Sequence, residues 1–199
     1  VLEHDLDRAD FEDLITESDR PGPAGTTFFD TQLGFMVRRY CAPLLELPAF
    51  ASPEDYIARR ADLGAVEVNT RLLTEHGYDT LLIETGHRGD EILDPQQMGV
   101  RAGTRVSEVV RLERIAEELV ETGISAADFR STFADELDVR LRTAVGVKSI
   151  AAYRIGLDFV PERPSPGEVD AAVADWIRAY DDGPFRLNSA TIIRHIIWE

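Results

Sequence analysis

The sequence predicts an α/β protein with a parallel sheet and a helical N-terminal part. Three observations predict it. Apolar residues recur at helical spacing through the first 77 residues, three later apolar runs each end in polar groups, and helical patterns lie between those runs. Strand, helix, strand, helix is the order that builds a parallel sheet, because parallel neighbours need a crossover and a helix supplies it.

The elements follow in chain order. His4 to Ser18 places Leu6, Phe11, Leu14 and Ile15 at helical spacing with acids between them, which predicts an amphipathic helix. Pro21-Gly22-Pro23 and Gly25 break any period from Arg20 to Thr26. A second helix is expected from Thr27 through Cys41, carrying Phe28, Leu33, Phe35, Met36 and Tyr40, with Pro43 after it. Ser52-Pro53-Glu54-Asp55 is a helix start: serine caps, proline suits the first turn, and the acids favour the positive end of the dipole. That helix runs on, with a break at Gly64, to His76-Gly77, where glycine suits a stop.

The character changes at Tyr78. Asp79 to Glu84 is a short, partly β-branched run leading into the polar loop Thr85-Gly86-His87-Arg88-Gly89-Asp90, the pattern of a buried strand and its loop. Thr104 to Glu113 is the next strand, passing directly into a helix over Arg114 to Glu121. Ser125-Ala126-Ala127-Asp128 opens a helix whose Phe129, Phe133, Leu137 and Leu141 form a core stripe. Val145 to Arg154 is the third strand. Ser165-Pro166-Gly167-Glu168 starts a helix that turns Val169, Val173, Trp176, Ile177 and Tyr180 inward.

Charge excludes some partners. Lys plus Arg number 21 against 37 Asp plus Glu, a formal charge of -16 that repels nucleic acid and anionic membrane. No apolar run nears the roughly 20 residues that span a bilayer, and no basic-then-apolar leader opens the chain. The lone Cys41, within the apolar pattern of a helix, excludes an internal disulfide framework and a cysteine zinc cluster, and fits a reducing, cytoplasmic compartment. Lys148 is the one lysine among 21 basic residues. Val1 in place of methionine, and an apolar-rich final stretch from Ile192 to Glu199, read as cut ends.

Gly146 to Leu157, with Arg111-Leu112-Glu113-Arg114 upstream, resembles the metal-dependent amidohydrolases of the amidohydrolase-related branch. The resemblance implies a partial (β/α)8 TIM-type barrel with a helical N-terminal insertion. Residues 1–77 would be the insertion after a missing first strand, and 78–199 would hold strands two to four with their helices. It also implies a divalent metal, zinc above all, and a metal-activated water that attacks a small amide, N-acyl or carboxylate substrate. Members carry a His-x-His motif on the first strand, which this sequence lacks, and His4, His76, His87 and His195 are too scattered to replace it. The piece alone is therefore expected to be inactive. The rival reading is a non-catalytic, helix-rich binding or scaffold domain with a small parallel sheet.

Six residues stand out as candidates. The resemblance makes Lys148 a carboxylated metal bridge; a core ion pair or a snorkelled lysine is the alternative. If its strand reached Arg154, Lys148 would lie roughly 20 Å short of the strand end at about 3.3 Å per residue, so a ligand role requires the strand to stop near Ser149. Arg154 and Tyr153, closing that strand, could grip a substrate carboxylate, or Arg154 could pair with structural acids. Arg111 and Glu113 end the second strand on one side, open to substrate or to each other. His87, in the loop after the first strand, is either a substrate or acid–base group or simply solvated. His4, His76 and His195 fit surface or helix-end positions, and Asp135-Glu136-Leu137-Asp138 a solvated helix face. Uncovered sheet edges would make the piece associate into homo-oligomers.

Overall fold

The structure, a computed structural model, describes residues 2–75, 77–87, 89, 91–180 and 186–199, and at position 180 the backbone only. His76, Arg88, Asp90 and the side chain of Tyr180, all named above, lie outside the described residues. The chain divides into two compact units, 1–81 with 89–106, and 82–88 with 107–199.

The first unit is helical. Asp7 caps α1 (Arg8–Leu14) by accepting from the Asp10 amide. The expected second helix is broken into a 3-10 turn (Phe28–Asp30), α2 (Gln32–Met36) and a π-turn (Val37–Cys41). Two threonines cause the first break. Thr27 and Asp30 cap each other's backbone, and Thr31 then caps a new helix at Gly34. Gly34 lies so close to the preceding turn that a Cβ would sit 2.4 Å from the Phe28 carbonyl oxygen. A second 3-10 turn (Pro43–Leu45) leads to α3 (Pro53–Thr74), capped by Ser52 and interrupted at Gly64, whose φ of 77° falls in the left-handed region. Phe11 stacks on Phe29 at 5.4 Å with Tyr56 edge-on to both, and the Arg60 guanidinium lies 5.0 Å over Phe11. Asp94 and Gln97 form a capping box for α4 (Pro95–Ala102), which packs on α3.

The strands are β1 (Thr80–Glu84), β2 (Arg105–Arg111) and β3 (Gly146–Lys148), in the order β1-β2-β3. β2 and β3 run parallel, pairing Val109 with Gly146, Val110 with Val147 and Arg111 with Lys148. In the second unit α5 (Leu112–Glu121) follows β2 without a loop, then come α6 (Phe129–Leu141), the single turn α7 (Ala151–Arg154), α8 (Pro166–Tyr180) and α9 (Ala190–Trp198). Its core joins Val110 to Ile115, Phe129, Phe133, Val169, Val173, Ile192, Ile193 and Ile196. Of the stripe expected at 129, 133, 137 and 141, the first three residues are buried and Leu141, at the end of α6, is exposed.

The expected partial (β/α)8 TIM-type barrel is corrected. The described residues form a helix-rich fold on a three-stranded sheet whose third strand has only three residues. The helices also pack on one another, α5 on α6 and α9, α6 on α8, and α8 on α9, so their apolar faces are spent on helix contacts as well as on the sheet. The third strand stops early for a local reason. After Lys148, the Ser149 hydroxyl and the Ile150 amide both turn onto the Glu113 carboxylate, and residues 151–154 coil into α7. His4 lies in a bend before α1, and His195 sits in the last turn of α9, one of its two expected placements, but buried. Among the described residues no helix is long and apolar enough to cross a membrane.

Candidate functional site

Three charged side chains meet where β1, β2 and β3 end. Side chains alternate across a strand, so Leu82 and Glu84 share a face of β1, and Val109 and Arg111 share a face of β2. Val110 points the other way, into the core. Register pairing sets Lys148 beside Arg111. Arg111 donates to Glu84 Oε2, and Lys148 Nζ lies 3.5 Å from the same oxygen. Glu84 Oε1 accepts from the Gly86 amide, so the loop after β1 folds back onto its own strand end. Only glycine fits there: a Cβ would stand 2.8 Å from Glu84 Oε1 and 2.9 Å from Arg111 Cβ.

Exposure separates the three. The Arg111 and Glu84 side chains are 12% and 13% exposed, whereas Lys148 is 48% exposed. The pair is shielded from water and fixed; the ammonium is accessible.

Behind this group lies Glu113, fully buried at the start of α5. Its Oε1 accepts from Ser149 Oγ at 2.5 Å and from Ile150 N at 3.0 Å, while Oε2 meets no hydrogen-bond partner among the described residues. Arg154 lies on α7, beyond the strand end, with its side chain only 8% exposed. It reaches Glu117 at 3.1 Å and the Leu187 carbonyl at 3.4 Å, and Glu117 in turn accepts from the Leu187 amide at 3.0 Å. Burial pulls the Arg154 guanidinium below its usual pKa, opposed by the Glu117 charge. Tyr153 is exposed on α7, and His87 is exposed in the loop after β1.

Of the six candidates the structure thus brings Arg111 and Lys148 together, with Glu113 one residue away through Ser149. Arg154 belongs to a separate buried pair. Glu84, which sequence reasoning passed over, is the hub of the group. Its signal was present: it is the last residue of the first expected strand, the position from which a side chain reaches a sheet's carboxyl end.

With Lys148 a free ammonium the group repels a divalent cation, since Glu84 is engaged by an arginine, an amide and a lysine. β3 ends at Lys148, so the strand stops where the carboxylated-bridge reading of that lysine requires it to. Among the described residues no three His, Cys, Asp or Glu side chains are placed to share a metal ion.

No protein-family model matches the chain. No curated protein matches it either. Among solved structures it is similar to a protein from Lactobacillus casei ATCC 334 provisionally described as a metal-dependent hydrolase. The likeness has a TM-score of 0.67 and 27% sequence identity, and covers 100% of this chain and 50% of that one. The chain therefore spans half the length of the protein it resembles.

Proposed function

We propose that this chain is part of a metal-dependent hydrolase of amidohydrolase type, acting on a small amide, N-acyl or carboxylate substrate in the cytoplasm. The observation that supports the reading is the likeness over the whole chain, at 27% identity, to a protein described as a metal-dependent hydrolase. The wording around Arg111 and Gly146 to Leu157 adds the amidohydrolase part. Because Glu84, Arg111 and the free Lys148 ammonium do not suit a divalent metal, zinc in this reading is held by other residues, and these three, with His87 nearby in the chain, face the substrate.

Each residue then has a role. Gly86 and Arg111 fix the Glu84 carboxylate, and Glu113 holds Ser149 and Ile150 so that Lys148 ends its strand exposed. The test is metal analysis of the natural gene product together with hydrolysis assays on N-acyl and amide substrates. Bound divalent metal and chelator-sensitive hydrolysis are expected. A natural product that binds no metal and cleaves none of these substrates overturns the proposal.

The helix-rich fold with its small sheet favours a second reading, a non-catalytic binding or scaffold domain. The same assays separate the two.

A further inference from the structure

We propose that the Lys148 end of the sheet is a binding site for a small organic monoanion, a carboxylate by chemistry, received by the Lys148 ammonium beside the Arg111–Glu84 pair. This names a substrate class for the site of the proposed function and rests on that reading for the word substrate.

The argument begins with charge. Arg111 and Glu84 cancel each other in a shielded pair. Lys148 adds a second positive charge to the same carboxylate, but at 3.5 Å from an oxygen that Arg111 already occupies. An ammonium has three donors, and this contact sits at the outer limit of hydrogen-bond distance, so most of that capacity is unused. The three side chains together carry one positive charge in excess, on a chain whose formal total is -16.

The site is also accessible. Lys148 is 48% exposed, and Leu82, two residues before Glu84 on the same face, is 64% exposed. The face of the sheet that carries Glu84 thus offers an ammonium at its end and an exposed apolar side chain further back along β1, which suits an anion with a short hydrocarbon body.

Charge also sets the limits of the class. A divalent cation is repelled by Arg111 and Lys148, and a dianion such as phosphate brings a second negative charge toward Glu84. A monoanion brings one charge to the ammonium and no second one toward Glu84 or the buried Glu113 carboxylate behind it.

The chain contains a single lysine, which makes the test direct. A full chain labelled with 15N-lysine has one side-chain ammonium signal in its NMR spectrum, and that signal is followed while sodium acetate, sodium phosphate or sodium chloride is added at constant ionic strength. Acetate is expected to move the signal along a saturating curve, phosphate to bind roughly tenfold more weakly, and chloride to show no saturation. In the Lys148→Met variant, whose fold is checked by circular dichroism, the saturable acetate shifts of the backbone amides of residues 84–86 and 111 are expected to vanish. Acetate that behaves as chloride does, or a Lys148→Met chain that keeps the saturable shifts, overturns the inference. If amides are hydrolysed but acetate does not bind, only this inference falls. If acetate binds but the natural product hydrolyses nothing, the site stands and the hydrolase reading falls.

Discussion

Glu113 shows how one buried carboxylate can end a strand. Its Oε1 satisfies both the Ser149 hydroxyl and the Ile150 amide, groups that a longer strand would have used elsewhere. Removing the acceptor leaves a buried amide unpaired, which costs about 1–3 kcal/mol. We therefore expect Glu113→Ala to lower unfolding free energy in urea by about that amount, with Glu113→Gln, which keeps a carbonyl acceptor, losing less. Equal midpoints for Glu113→Ala and the parent chain would refute this role. Gly86 is a second case, since a Cβ there meets Glu84 Oε1 and Arg111 Cβ at under 3.0 Å. Gly86→Ala is expected to cost about 1–3 kcal/mol by overpacking, read from the same urea midpoints. At this scale the sequence was informative about position and silent about partners. Arg111, Glu113 and Lys148 could be placed near strand ends from apolar runs, whereas the choice of Glu84 by Arg111, and of Glu117 by Arg154, depends on contacts 27 and 37 residues apart in the chain.

Helix α9 buries, in its last turn, a histidine that the sequence placed at a surface or a helix end. Ile192, His195, Ile196 and Glu199 recur at three and four residues, so His195 lies on the apolar stripe; reading it by residue type instead of by that spacing hid the burial. Its ring lies 6.5 Å and 6.3 Å from the rings of Phe129 and Phe133, Nδ1 is 3.5 Å from Glu199, and Nε2 has no partner among the described residues. Burial lowers its pKa; Glu199 and Asp170 oppose the shift, and Arg163 and Arg130 reinforce it. A folded-state pKa below the unfolded value of about 6.5 means that the folded chain prefers the neutral ring. The stabilisation is complete above that pH and declines as pH falls through it toward the folded value. Thermal unfolding from pH 8 to pH 5.5 is expected to show a loss of stability that a His195→Gln variant lacks; parallel pH profiles would overturn the assignment. In α3 the break at Gly64 was legible, because a glycine within a long helical pattern invites the left-handed φ seen there. The Thr27 to Cys41 segment was not: its apolar residues keep helical spacing, but Thr31 restarts the helix by capping, and periodicity does not register a cap.

At the scale of the whole chain, apolar surface and net charge oppose each other. The strand order leaves β3 at one end of the sheet, and Val145 and Val147 in and beside it are 60% and 48% exposed, with Tyr153 at 83% and Leu157 at 75% just after them. An edge strand flanked by exposed apolar groups offers a pairing template. Against it stands a charge of -16, which makes copies of the chain repel one another. Ionic strength decides which prevails, since the screening length is about 30 Å at 0.01 M salt and about 8 Å at 0.15 M. At low salt the repulsion reaches beyond contact distance and keeps chains apart; near physiological salt it acts only at contact, where apolar burial takes over. The expected third strand is also shorter here: β3 ends at Lys148 instead of Arg154, and residues 151–154 coil into α7 in place of further paired strand. The 199-residue chain is therefore expected to run as a monomer by light scattering in about 0.01 M salt and to form concentration-dependent oligomers in about 0.15 M salt. Replacing Val147 with lysine, which sets a charge on the edge, should restore the monomer at the higher salt. A chain that stays monodisperse under both conditions, or a Val147→Lys variant that associates as the parent does, would show that β3 is not the surface through which copies meet.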